Sequence, residues 1–130
     1  MRPAPTSAWS RVYLACPIPA YWTRRYETRL RWLRLMAPGA EILEPRLSGW
    51  DTGRWLAEAP ALIAGCDALV AFGLPDGTIG RGVAMELEWA EGSGIPAWEI
   101  TGRGTLRPAP VAVRLPGEDW QRWARLEGAA

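Results

Sequence analysis

Short apolar runs alternate along this chain with longer segments whose apolar residues recur every three or four positions. Arg11-Val-Tyr-Leu-Ala15, Glu41-Ile-Leu-Glu44, Asp67-Ala-Leu-Val-Ala-Phe-Gly73 and Ile95-Pro-Ala-Trp-Glu-Ile100 read as four strands. Two prolines in Cys16-Pro-Ile-Pro19 force an irregular loop after the first, and Pro45 closes the second. Helical spacing predicts a first helix from Thr23 to Met36, with Tyr26, Leu30, Leu33 and Ala37 on its buried side and Pro38-Gly39 ending it. A second helical region starts at Asp51 or Thr52 and turns Trp55, Leu56, Leu62 and Ile63 towards the core. Pro60 interrupts it, predicting either a kink or two short helices with Pro60 near the start of the second. After Gly80 a third helix presents Val83, Leu87 and Ala90 as its apolar face, with Glu86 on the border and Glu88 and Glu91 turned away. Arg103 to Pro110 reads as a loop, Val111-Ala-Val-Arg-Leu115 as a possible fifth strand, and Glu118 to Leu126 as a terminal helix.

Strands alternating with helices imply an α/β fold whose mainly parallel sheet is covered on both faces, with right-handed crossovers. The expectation is a flavodoxin-like (Rossmann-like) three-layer sandwich with four to five strands in the order 2-1-3-4-5. At 130 residues, 48% of them apolar, the chain suits one domain over residues 11–130 behind a flexible leader of residues 1–10. Met1 to Ser7 lacks the apolar core of a signal peptide, and no apolar run approaches the roughly 20 residues that span a bilayer.

Charge and composition narrow the chemistry. A formal net charge of +1 argues against a nucleic acid polymer or an anionic membrane as partner. All 15 basic residues are arginine, which reads first as a trace of a GC-rich genome. Without histidine there is no Ser-His-Asp or Cys-His system and no histidine-rich metal site; without lysine there is no Schiff base and no phosphate-loop lysine. Acid and base work falls to Asp, Glu, Tyr or Cys. Cys16 and Cys66 lie far from any paired metal-ligand spacing, so they read as buried thiols of an intracellular, cytoplasmic protein. Neither a metal nor a cofactor is expected. Nine tryptophans in 130 residues, Trp50, Trp55, Trp120 and Trp123 among them, are hard to bury together and predict a homo-oligomer.

The candidate chemistry sits where the third strand passes through the turn-rich loop Leu74-Pro-Asp-Gly-Thr78 into the third helix. A strand, loop and helix in that order form the unit whose carboxyl end holds ligands in open α/β sheets. Unpaired amides in the first turn favour an anion, Arg81 adds positive charge, and Glu86 follows one turn later. Simpler readings stand beside these. Glutamates near a helix start are commonly solvated or act in capping, glycines before a helix serve turn geometry, and Arg81 can be merely solvated. Tyr13, inside a strand, reads as core more readily than as a ligand contact. Asp67, where a helix gives way to a strand, suits bonding to neighbouring backbone groups.

With these elements placed, the chain resembles the nucleoside 2-deoxyribosyltransferase-like superfamily. The matching pieces are Val12-Tyr-Leu-Ala-Cys-Pro-Ile18, usually Tyr-Leu-Ala-Gly-Pro in the family; the second strand ending in Pro45; Cys66-Asp-Ala-Leu-Val-Ala71; and Gly82-Val-Ala-Met-Glu-Leu-Glu-Trp-Ala90 with Gly94-Ile-Pro96. They run from about Val12 to Ile100. The resemblance implies cleavage of an N-glycosidic bond in a nucleoside or nucleotide, the glutamate matched by Glu86 attacking the anomeric carbon before water or a second base resolves the intermediate. It also implies that the loop from Cys16 to Trp22 meets sugar and base, which makes Tyr13, Cys16, Pro17, Ile18, Tyr21, Trp22 and Arg24 candidate substrate contacts, with Gly80, Arg81 and Gly82 at the third helix. Two family acids are absent. Ala59 stands where an assisting aspartate is usual, with Glu58 adjacent as a substitute if Pro60 reshapes the helix. Gly80 stands where the transferase branch has aspartate and the nucleotide-hydrolase branch a phosphate-binding serine, with Asp76 the nearest acid. Gly80 and Arg81 favour a 5′-monophosphate over a neutral nucleoside, because a phosphate accepts amide bonds and a guanidinium pair. A protein of this fold that binds a nucleotide or nucleotide-derived signal without cleaving it is the alternative.

Overall fold

Four parallel strands and one antiparallel strand form the central sheet of the computed structural model, which describes residues 5–109 and 113–114. In chain order the elements are β1 (Arg11–Ala15), α1 (Arg24–Met36), β2 (Glu41–Leu43), α2 (Thr52–Ala64), β3 (Ala68–Ala71), β4 (Thr78–Ile79), α3 (Arg81–Gly92), β5 (Ala97–Ile100), β6 (Leu106–Pro108) and β7 (Val113–Arg114). The sheet order is β2-β1-β3-β5-β6, and β4 pairs separately with β7. Val12 lies opposite Ile42 on one side and Ala68 on the other, and Val70 lies opposite Trp98. The protein is therefore α/β with a five-stranded, mostly parallel sheet.

The first four positions of that sheet follow the expected order, and the fifth departs from it. Leu106–Pro108 had been expected as part of a loop, yet it folds back antiparallel on β5, with Ile100 opposite Leu106. Gly104, at φ +76°, turns the chain between the two strands. Of the expected fifth strand, Val111 to Leu115, only Val113–Arg114 lies among the described residues, and it pairs in parallel with Thr78–Ile79 rather than with the main sheet. The expected terminal helix, with Trp120 and Trp123, lies outside the described residues.

Two buried clusters hold the sheet. Val12, Leu14, Ala68, Val70 and Phe72 share one with Tyr26, Leu30 and Leu33 of α1. Tyr13, Ala15, Leu69 and Ala71 share the other with Ala59 and Ile63 of α2 and Val83, Leu87 and Ala90 of α3. Alternate residues of a strand point to opposite faces, which is why adjacent positions of β1 and β3 divide between the clusters. Trp9 is also buried in the first cluster, so the stretch expected as a flexible leader already supplies a core side chain.

Helix ends follow local chemistry. Thr23 caps α1 by accepting from the Tyr26 amide at 3.2 Å, and Asp51 caps α2 by accepting from the Arg54 amide at 2.8 Å. Of the two expected outcomes, a kink or two short helices, the second does not occur: α2 runs from Thr52 to Ala64 as a single element with Pro60 inside it. Leu56, expected in the core, is 45% exposed; Ala59 and Ile63 are the fully buried residues of this helix. Asp67 accepts from the amides of Ser10 at 2.6 Å and Arg11 at 3.0 Å, tying the entrance of β1 to that of β3. Those two bonds hold its carboxyl below the usual carboxylate range.

Candidate functional site

Parallel pairing places the loops that follow β1, β2 and β3 at one edge of the sheet. The chain leaves β3 through Phe72 and Gly73 into a turn closed by hydrogen bonds between Leu74 and Thr78 and between Gly77 and Leu74, with Gly77 at φ +82°. A Cβ on Gly73 would stand 2.4 Å from the carbonyl oxygen of Thr78, so only glycine permits this approach. The turn delivers the chain to Gly80, the N-cap of α3, where no side chain caps the helix. Ala84 donates the first intrahelical bond, to Gly80, leaving the amides of Arg81, Gly82 and Val83 without intrahelical partners.

Glu86 lies well inside the buried face of α3 rather than at its border, only 4% exposed. Two donors meet it. The Tyr13 hydroxyl, from the middle of β1, donates to Oε2, and so does the Trp55 indole Nε1 from α2, at 3.2 Å. Both bonds fall on the same oxygen, and Oε1 accepts none from the described residues. Burial pushes the Glu86 carboxyl up to about 7, with the two hydrogen bonds pulling the other way. Tyr13 is driven strongly upward, by burial first and then by the Glu86 charge, so the shared proton stays on the phenol. Beside them the Trp55 ring packs on Trp89, centroids 4.8 Å apart and planes at 51°.

The other expected site residues divide by position. Cys16 and Pro17 are buried at the end of β1, and Ile18 is 57% exposed. Tyr21 is half-buried and packs edge-on against Tyr26; burial, then the charges of Cys16 and Glu86, raise its phenol. Arg24 and Arg81 are exposed, and Gly82 lies beside the Trp55 ring. Two expected catalytic acids have hydrogen-bond partners of their own. Glu58 is exposed and bonded to Arg54 at 3.1 Å, one turn away on an unbroken helix. Asp76 bonds the amide and hydroxyl of Thr78 at 3.1 and 2.6 Å within its own turn.

Sequence reasoning missed a half-buried arginine that organises this edge. Arg46 donates to the Tyr21 carbonyl at 2.9 Å, to Glu27 at 2.6 Å and to Glu44 at 3.0 Å, while its guanidinium lies 3.9 Å from the Tyr26 ring centre and 4.7 Å from that of Trp22. Tyr26 in turn donates to Glu44 at 2.9 Å. The loop after β1, the helix α1 and the loop after β2 are thus fastened together. Only Glu44-Pro-Arg46 at the end of a strand hinted at this in the sequence. A cavity of about 230 Å³ opens beside the cluster, lined by Leu43, Glu44, Ser48, Trp50 and Leu62, with Tyr13 forming the wall nearest Glu86.

Among the described residues no three cysteine, aspartate or glutamate side chains converge as metal ligands, and no helix is long and apolar enough to cross a membrane. Cys16 and Cys66 are buried apart from each other, and burial pushes the Cys66 thiol up to about 11. No family model and no curated protein matches the chain. A solved structure similar to it is that of a conserved protein from Enterococcus faecalis V583, at 25% identity over 71% of this chain, with a TM-score of 0.53. The chain spans 63% of that protein's length, and the likeness is one of fold.

Proposed function

We propose that this protein cleaves the N-glycosidic bond of a nucleoside or deoxynucleoside 5′-monophosphate with Glu86 as nucleophile, on a flavodoxin-like three-layer fold. The observation that carries the reading is the buried Glu86, with two donors on Oε2 and, among the described residues, none on Oε1. In this reading Oε1 attacks the anomeric carbon, and the departing base takes the electron pair of the C–N bond. Water then displaces Glu86 from the sugar, leaving a hydroxyl there and giving its proton to the base. A covalent intermediate divides one hard displacement into two easier ones, and a carboxylate suits an oxocarbenium-like centre. The resemblance of Val12 to Ile100 to the nucleoside 2-deoxyribosyltransferase-like superfamily supports the same assignment. The uncapped start of α3, with Gly80, Gly82 and the exposed Arg81, suits the 5′-phosphate. The reading includes a cytoplasmic homo-oligomer, supported by the exposure of Ile18, Trp22 and Leu47 on the loops of this edge.

One observation favours a second reading, a nucleotide-binding sensor without turnover. Ala59 is fully buried where the family usually carries an assisting aspartate, and the neighbouring Glu58 is engaged with Arg54. Incubation with a panel of ribo- and deoxyribonucleoside 5′-monophosphates, with and without free base, distinguishes the two when base release is followed by chromatography. Glycosidase activity is expected to fall on the order of 10³- to 10⁵-fold in Glu86→Gln while binding persists. Binding by the native chain with no base release favours the sensor.

A further inference from the structure

We propose that Trp55 is a positioning residue for Glu86: its indole N–H, acting with the Tyr13 hydroxyl, holds Oε2 and leaves Oε1 as the one oxygen presented for reaction. The part of this that concerns reaction rests on the glycosidase reading; the part that concerns the carboxylate does not.

The donor is well chosen for the task. An indole N–H donates and cannot accept, and it does not ionise, so it supplies a fixed bond where a hydroxyl could rotate away. Its aim is set by packing. Trp55 turns inward one residue before the exposed Leu56, its ring tilted against Trp89 at 4.8 Å and lying 3.9 Å from the place where a Gly82 Cβ would stand. Trp89 is one turn beyond Glu86 on α3 and Gly82 one turn before it, so the helix that carries the acid also carries the cradle for its donor. The two donors arrive from different elements, β1 and α2, and converge on a single atom.

Electrostatics explains why a second donor matters. Among the described residues the titratable groups that interact with Glu86 are Tyr13 from β1 and Tyr21 from the loop after it, both phenols, while α2 contributes the neutral indole. Among the described residues no arginine pairs with Glu86. Hydrogen bonds therefore carry the work of opposing desolvation that a guanidinium does elsewhere. A nucleophile must be ionised when substrate arrives, so removing either donor reduces the reactive fraction near neutral pH.

The test needs no substrate. The full chain is labelled with glutamate carrying 13C at its carboxyl, and the Glu86 resonance, identified by its loss in Glu86→Gln, is titrated by NMR. Trp55→Phe keeps an aromatic ring against Trp89 and removes the N–H, and the Glu86 midpoint is expected to rise by about one pH unit. If that variant fails to fold, β-(3-benzothienyl)alanine at position 55 keeps the fused ring and replaces N–H by sulfur, with the same rise expected. An unchanged midpoint in either folded variant overturns the proposal. Where base release is observed, the acidic limb of kcat/KM moves upward with the carboxyl midpoint; a loss of kcat with no such movement also overturns it. Absence of base release by the native chain would instead count against the glycosidase reading and leave the NMR result standing on its own.

Discussion

Glu86 makes the protein's stability depend on pH between about 4.5 and 7. Its carboxyl sits near 7 in the folded chain because burial disfavours the charge, whereas in the unfolded chain it returns to 4.5. Between those values the folded state holds a proton that the unfolded state has released. Stability from this group is therefore complete below about pH 4.5 and declines as pH rises to about 7, by about 3 kcal/mol in total. Glutamine at position 86 removes that slope, so thermal melts should show Glu86→Gln gaining on the native chain across this window, with the difference flat above it. Melting curves that stay parallel from pH 4.5 to 7 would contradict this. The place of Glu86 beside an apolar helix face was legible from the spacing of Val83, Leu87 and Ala90. Its partners were not, because Trp55 is 31 residues away and Tyr13 is 73, and the approach of α2 to α3 leaves no local trace. Tyr13 read as core, and its ring is buried; the hydroxyl at its end was the part that periodicity could not assign.

The elements were most legible where local chemistry decides them. Thr23, Asp51 and the Pro38-Gly39 stop bounded α1 and the start of α2, since capping is settled within four residues. Longer-range packing decided the rest. Pro60 is carried inside α2 because Ala59 and Ile63 bury that side of the helix against the sheet, which outweighs the lost amide bond. The hairpin of β5 and β6 was not legible, because Leu106–Pro108 is only three residues long and is held by its pairing with β5. Gly73 is the position where an element's geometry depends on one hydrogen atom in place of a methyl group. Gly73→Ala should destabilise the protein by about 1–3 kcal/mol, since the Thr78 carbonyl is backbone and must shift. Because that shift displaces the turn leading into α3, hydrogen exchange should rise at Leu74 and Gly77 ahead of the sheet. Equal stability in chemical denaturation would show that the turn relaxes freely.

For the molecule as a whole, the contrast between its two sheet edges is informative. A carboxylate, Asp67, accepting from two backbone amides fastens the edge where β1 and β3 begin, whereas a guanidinium, Arg46, donating to a backbone carbonyl and two carboxylates fastens the edge where β1 ends. Arg46→Ala takes from Glu44 its nearer cation, leaving Arg34 at 3.8 Å, and frees the Tyr21 carbonyl, a loss of about 1–3 kcal/mol. The melting temperature should fall accordingly, and limited proteolysis should cut first between Cys16 and Trp22. A cut pattern unchanged from the native chain would show that this loop is held by something else. The convergence of Tyr13, Trp55 and Glu86 bears on how the chain is made. A ribosome releases the phenol first, the indole next and the acid last, so both donors exist before the charge they will receive. Vectorial synthesis thus never exposes a half-folded intermediate to a buried anion whose partners are still to be translated, and a circular permutant that starts within the turn before α3 would reverse that order.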